Sequence, residues 1–156
     1  METIKLEAVS QKNFHLIEGI TLPPEQEAND GTDSFYKLLA QAYVNLDDHI
    51  WSPLLAIGQP SQNAIGRICL VLPQNRSMCS LCGVAISQSY QGQGYGSQLM
   101  QATISHIGQA YPEAVFIGLY VFEDNIPAVK LYKKSGFIPT GEKSDEHGIV
   151  MRRRLP

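Results

Sequence analysis

The sequence predicts a single α/β domain built around a strand–helix–strand unit, and three observations lead there. Ala114 to Phe122 is nearly all apolar, as a parallel strand covered on both faces reads. Before it stands an amphipathic stretch, with Leu99, Met100, Thr103, Ile104 and Ile107 at helical spacing. Between that stretch and the apolar run Leu81 to Ser87 lies a glycine-rich turn, Gln91-Gly92-Gln93-Gly94-Tyr95-Gly96. The 156 residues are enough for one ordinary domain with a sizeable core, and neither a linker nor a repeat divides residues 1–156.

The remaining elements follow in order. Ile4 to Val9 alternates like a strand, and Lys12 to Ile20 has the helical spacing of Phe14, Ile17 and Glu18. Thr21 to Thr32, with Pro23-Pro24 and Asn29-Asp30-Gly31, reads as a loop or a short helical piece. Asp33 or Ser34 then caps a helix with Phe35, Leu38, Leu39, Ala42 and Tyr43 on one side, ending near the polar segment Asn45 to His49. Leu54 to Gly58 and Ala64 to Leu72 are strands joined by Gln59-Pro60-Ser61-Gln62-Asn63, and Pro73 to Arg76 turns the chain into the strand Met78 to Ser87. Helix 97–110 stops at Tyr111-Pro112. A last helix spans about Ile126 to Lys134, and strands Phe137 to Thr140 and Ile149 to Arg153 enclose a loop from Gly141 to Gly148.

Bulk properties narrow the function classes. A composition of 44% hydrophobic and 17% charged residues is that of a globular chain, and no apolar run nears the ~18 residues that span a bilayer. Met1 to Lys5 lacks the basic-then-apolar plan of a signal peptide, so a cytoplasmic location is expected, without membrane partners. The net charge of −3 disfavours a general nucleic-acid binder, and Arg152-Arg153-Arg154 is too short to reverse that. Cys79-x-x-Cys82 suggests metal or redox chemistry in isolation. Residues three apart on a strand point to opposite faces, however, and no second Cys or His pair stands at ligand spacing, so Cys69, Cys79 and Cys82 are expected to be reduced core thiols and no metal is expected.

The glycine turn is suited to an anion. Glycines take positive φ and bring bare N–H groups close to a ligand, while the helix start adds orphan donors and partial positive charge. A dinucleotide fingerprint is ruled out, since its last glycine falls on Ser97 or Leu99, and a Walker loop would need Gly-Lys-Ser or Gly-Lys-Thr. What fits is Gln91-x-x-Gly94-x-Gly96 followed by Asn125, Ala128 and Tyr132 on one helix face, with Gly136-Phe137 as the helix stop.

Taken together, these residues resemble the GNAT superfamily of acetyl-CoA-dependent N-acetyltransferases, with the match running from Val84 to Phe137. The resemblance implies a mixed, mostly antiparallel sheet with helices on both faces and a βαβ cofactor unit. Acetyl-CoA is the implied co-substrate. The amides of Gln91, Gly92, Gln93, Gly94, Tyr95, Gly96 and Ser97 would bind its pyrophosphate. The backbone of Val84, Ala85 and Ile86 would pair with the pantetheine arm and polarise the acetyl carbonyl, provided the strand splays from its neighbour. Asn125 either contacts the pantetheine path or serves only as an N-cap, and Ala128 lets the arm approach or is an ordinary buried alanine. Lys130, Lys133 and Lys134 either touch the 3′-phosphate or are solvated.

Tyr132 is the implied general acid for the departing thiolate. A phenol at ~10 facing a thiol at ~8.5 makes full transfer uphill by only ~2 kcal/mol. A base is harder to assign. Deprotonating a Lys-like amine at pH 7 costs ~4.6 kcal/mol against ~1.4 for an α-amino group. Where relatives carry a Glu, this chain has Tyr120, or Ser80, Cys82 and Val84, leaving Glu123, Asp124, Glu18, Asp33 or water through Tyr120 open, with His147 as a loop base or a surface residue.

The expected activity is therefore acetyl transfer to a primary amine by direct attack in a ternary complex. The acceptor is a small molecule such as an amino acid, polyamine or aminoglycoside, or a peptide N-terminus. Glu25, Glu27, Asp30, Asp33, Asp47 and Asp48 would suit a cationic acceptor or form a solvated face. The missing carboxylate motivates an alternative, an acyl-CoA-binding sensor without turnover, and a third reading is a scaffold whose glycine loop binds nothing. Homodimers are frequent among such relatives, and the residues leave the oligomeric state open.

Overall fold

The computed structural model describes the backbone of residues 1–30 and 32–156, with the side chains at 28–30, 32, 33 and 46 outside that description. Seven strands form one sheet in the order β1-β2-β3-β4-β5-β7-β6. They are β1 Thr3–Ala8, β2 Ile50–Gln59, β3 Ala64–Leu72, β4 Met78–Ile86, β5 Phe116–Val121, β6 Ile138–Ser144 and β7 Gly148–Arg154. Helices α1 Pro24–Asp30, α2 Thr32–Val44, α3 Tyr95–Ala110 and α4 Ile126–Lys134 complete the chain. Every neighbouring pair of strands is antiparallel except β4 with β5, which α3 joins as a parallel crossover.

Burial on both faces explains the dense apolar runs of the central strands. Alternate residues of β2 and β3, such as Leu54, Ala56, Ile68 and Leu70, face α3 and α4 and join Leu99, Met100, Ile107, Leu119, Tyr132, Phe137 and Met151. The intervening Leu55, Ile57 and Cys69 face α2 and join Phe35, Ile17 and Ile20.

Several sequence expectations shift here. The stretch expected as a first helix is a 3-10 turn, Phe14–Gly19, with Ile17 its buried residue, because only a short segment can lie under α2 before Pro23-Pro24 restarts the chain. The helical alternative for 21–32 is realised as α1. Helix α2 already includes Ser34, so Ser34 is not its cap, and Asp33 lies outside the described side chains. Strand β2 starts at Ile50, not Leu54, and β6 runs on to Ser144, leaving a tight hairpin where a loop from Gly141 was expected.

Strand β5 departs most from expectation. Its residues Ile117, Leu119 and Val121 are buried, while Phe116 and Tyr120 are exposed, so helices cover only one of its faces. Helix α2 lies over β2 and its neighbours and does not reach β5. On the uncovered side Arg152 stands 5.9 Å from the Phe116 ring centre, and Tyr120 lies 5.5 Å from His147. No helix among the described residues is long and apolar enough to cross a membrane.

Leu70, fully buried at the middle of the sheet, gives a direct test of this core. Leu70→Ala should cost about 3 kcal/mol of stability, read as a lower urea midpoint with an unchanged slope.

Candidate functional site

The glycine turn leaves β4 through a 3-10 turn, Gln88–Tyr90, and enters α3 at Gly94. Gly94 is left-handed at φ 90° and caps α3 without any side-chain hydrogen bond, so the first amides of the helix remain open to a ligand. No carboxylate occurs from Ser87 to Pro112, so the helix carries no acidic side chain of its own at its positive end. Gly96 is needed for a different reason. A Cβ there would sit 3.2 Å from the Leu131 side chain, so the first turn of α3 presses against α4.

Side chains fix this turn from three sides. Gln91 Nε2 donates to the Ile86 carbonyl at 2.8 Å and to Gln26 of α1 at 3.0 Å. The amide of Gln91 is itself bonded to the Gln88 carbonyl at 3.2 Å, so Gln91 braces the turn through both backbone and side chain. Gln93 Nε2 donates to the Ser89 carbonyl. Gln98 of α3 donates to the Glu2 carbonyl and accepts from the Ile4 amide, and the Tyr95 hydroxyl accepts from the Glu2 amide, tying the helix start to β1. The exit of β4 is held where Ser87, 1% exposed, donates from its amide to Ile65 and Gln88 donates to Thr21.

Strands β4 and β5 part beside this turn. Their parallel register runs only from Met78 opposite Phe116 to Leu81 opposite Leu119. Beyond that, β4 continues to Ile86, still paired with β3, and β5 continues to Val121, still paired with β7. The facing edges of 82–86 and 120–121 are therefore open to a strand-like ligand. Between Arg67 and Cys69 the β3–β4 register slips, so Gly83 and Val84 together oppose Ile68 in a bulge, with Gly83 at φ 61°. The splay that the Val84–Ile86 reading required is thus present in the backbone.

The other expected residues are distributed around this opening. Asn125 caps α4, its side chain accepting from the Ala128 amide at 3.4 Å, and Ala128 packs against the same core cluster as Val84 and Ile86. Tyr132, 8% exposed, lies in that cluster with its ring 6.0 Å from Phe137. Lys134, Ser97, Gln101, Ile104, Ser135 and Arg153 line a groove of about 240 Å³ between α3 and α4. Lys130 and Lys133 are exposed.

The carboxylate candidates do not converge. Glu18 meets the Tyr36 hydroxyl on the α2 side at 3.5 Å. Glu123 and Asp124 follow β5 and line a cleft of about 310 Å³ with Phe122, Lys143, Ser144, Gly148 and Ile149. Tyr120 is 57% exposed, and His147 pairs with Glu146 at 3.7 Å. The side chain of Asp33 lies outside the described residues.

The three thiols are free, with Cys79 and Cys82 on opposite faces of β4. Cys82 faces Cys69 across the β3–β4 pair. Cys82 donates to the Cys69 carbonyl at 3.6 Å, and hydrogen bonding between the two side chains holds Cys82 below the ordinary thiol value despite its burial while the same pairing, with burial adding to it, raises Cys69. Burial pushes Cys79 up to about 12. Among the described residues no group of three or more His, Cys, Asp or Glu could hold a metal ion.

One feature escaped the sequence reading. Arg67 is 0% exposed within β3, with its guanidinium carbon 4.7 Å over the Phe35 ring and Nη1 3.3 Å from the Gly83 carbonyl. A lone charge inside the apolar run Ala64 to Leu72 was the available signal.

Comparison with known proteins agrees with this geometry. The model of the acetyltransferase (GNAT) family matches residues 16–137. A spermine/spermidine N(1)-acetyltransferase of Bacillus subtilis is 40% identical over 70 residues, 45% of this chain and 45% of that protein. A mycothiol acetyltransferase of Jonesia denitrificans is 38% identical over 68 residues, 43% of this chain and 20% of that protein. The match thus spans less than half the length of either curated relative. In fold, the chain is similar to the spermidine N-acetyltransferase of Vibrio cholerae solved with CoA and spermine, with a TM-score of 0.77 and 18% identity over 98% of this chain and 96% of that one.

The thiol arrangement sets an order of reactivity. In the folded protein iodoacetamide should label Cys82 first, with a pH midpoint below that of an ordinary thiol, while Cys69 and Cys79 react only after denaturation. Mass spectrometry of the alkylated peptides checks the order, and equal labelling of all three would contradict it.

Proposed function

Because the chain belongs to the acetyltransferase (GNAT) family, we propose that it transfers the acetyl group of acetyl-CoA to a primary amine by direct attack in a ternary complex. The parting of β4 and β5 immediately before an uncapped, glycine-rich helix start is the observation that carries this reading. These residues fit the co-substrate. A peptide-like pantetheine arm needs an open strand edge, and a pyrophosphate needs unbonded amides free of nearby carboxylate.

In this reading the amides of Gly92, Gln93, Gly94, Tyr95, Gly96 and Ser97 hold the pyrophosphate, with Gln91 bracing the turn from behind. The backbone edge of Val84, Ala85 and Ile86 pairs with the arm and donates to the acetyl carbonyl. The groove containing Lys134 and Arg153, which begins at Ser97 on the first turn of α3, receives the 3′-phosphate. Asn125 and Ala128 set the start of α4 beside the arm. Bound acetyl-CoA supplies an activated thioester. As the amine nitrogen bonds to the acetyl carbon and the carbon–sulfur bond opens, Tyr132 gives its proton to the departing sulfur and solvent takes the proton that the amine loses, while the contact of Leu131 with Gly96 holds α4 against the glycine turn.

For the acceptor we favour a polyamine-like primary amine, supported by the names of the Bacillus subtilis and Vibrio cholerae relatives. Glu123 and Asp124, on the cleft beyond β5, are the carboxylates placed to attract a cation.

Acetyl-CoA-dependent thiol release across polyamines, amino acids, aminoglycosides and peptide N-termini tests the proposal. Release is expected with spermidine or spermine, and Tyr132→Phe should lower kcat by about tenfold or more. Binding of acetyl-CoA without release for any amine would favour a sensor instead. Gly94→Trp, which places a bulky side chain at a left-handed position, should abolish the rise in Tm that CoA gives the unsubstituted protein. A rise of equal size in the variant would exclude the glycine turn from binding.

A further inference from the structure

Arg67 is the largest fully buried side chain among the described residues. Its neighbours along β3 from Ala64 to Leu70 are all apolar, and a charge in such a place is costly. An apolar side chain of similar volume would fill the space without that cost, so filling the core does not account for an arginine.

Two contacts of the guanidinium lie beside the opening. Nη1 donates to the carbonyl of Gly83, the first residue of the bulge in β4, while the guanidinium carbon stands 4.7 Å over the Phe35 ring of α2. Phe35 and Leu38 close the same spot, since a Cβ at Gly83 would come within 3.4 Å of Phe35 and 2.6 Å of Leu38. The Gly83 carbonyl belongs to the same planar peptide as the Val84 N–H, and the cis bond of the described chain lies elsewhere, at Gln59-Pro60. In a trans peptide the C=O and N–H point in opposite directions. The Arg67 bond that holds the Gly83 carbonyl therefore also fixes the direction of the Val84 N–H in the same peptide. A cation bonded to the carbonyl also withdraws density from the amide and strengthens its N–H as a donor.

We propose that Arg67 is a positioning residue for acetyl transfer, orienting and polarising the Gly83–Val84 peptide so that the Val84 N–H grips the acetyl carbonyl oxygen. This rests on the transfer reading above and assigns the residue behind its oxyanion contact. The Phe35 ring holds the guanidinium in place, so α2 is tied to the chemistry through Arg67.

The test is the infrared carbonyl band of bound acetyl-CoA carrying an isotope-labelled acetyl carbonyl, measured beside steady-state kinetics. In the unsubstituted protein the band should move to lower wavenumber on binding. Arg67→Met should lose at least about half of that displacement and about tenfold in kcat, with KM for acetyl-CoA changed by less than about twofold. Arg67→Lys, which restores the charge, should regain most of both. Should the Met variant not fold, Arg67→Gln carries the same comparison. A folded neutral variant with the unsubstituted band position, equal losses in Lys and neutral variants, or an unsubstituted band that stays at its solution position would each overturn the proposal. A displaced band with no turnover on any amine would sink the transfer reading and leave the role of Arg67 standing, whereas no binding of acetyl-CoA would overturn both.

Discussion

The early end of the β4–β5 pairing is the constraint on which the rest of the site depends. Two strands that began in parallel register at Met78 and Phe116 would bury their facing edges if they stayed paired. The Gly83–Val84 bulge bends β4 while its pairing to β3 continues on the other side, so the strand keeps its support as it leaves β5. A strand edge is ordinarily a liability. Here it lies inside the sheet, between neighbours that β3 and β7 support.

The two-sided core makes that opening rigid. Leucines and isoleucines of β2 and β3 alternate between a cluster under α3 and α4 and a cluster under α2, so the central strands are gripped from both faces. The glycine turn is tied to distant parts of the chain. Gln98 and Tyr95 bind the backbone of β1, Gln91 binds α1, and Ser87 docks beside Thr21. An N-terminal strand far away in sequence thereby helps to aim the first turn of α3.

Charge is unevenly distributed along the chain. Residues 87–112 contain no carboxylate, and the groove between α3 and α4 carries Lys134 and Arg153. Glu123 and Asp124 lie past the end of β5, at the cleft by the β6–β7 hairpin. The bare outer face of β5 carries Tyr120 beside His147.

The sequence by itself determined the element order, the crossover helix, the glycine turn, and the Asn125, Ala128 and Tyr132 face of α4, because period, caps and glycine positions act over a few residues. The opposite facing of Cys79 and Cys82 was equally legible from strand alternation. Only the tertiary structure decided how far β4 and β5 stay paired, that β5 is covered on one face, and that 12–20 forms a 3-10 turn. These depend on how much sheet α2 can cover and on register between strands separated by a whole helix, which no local pattern encodes. Arg67 falls between the two. The sequence displays a charge in an apolar strand, but only the folded sheet shows that it meets the carbonyl of Gly83, because the bulge that turns that carbonyl is itself a product of pairing.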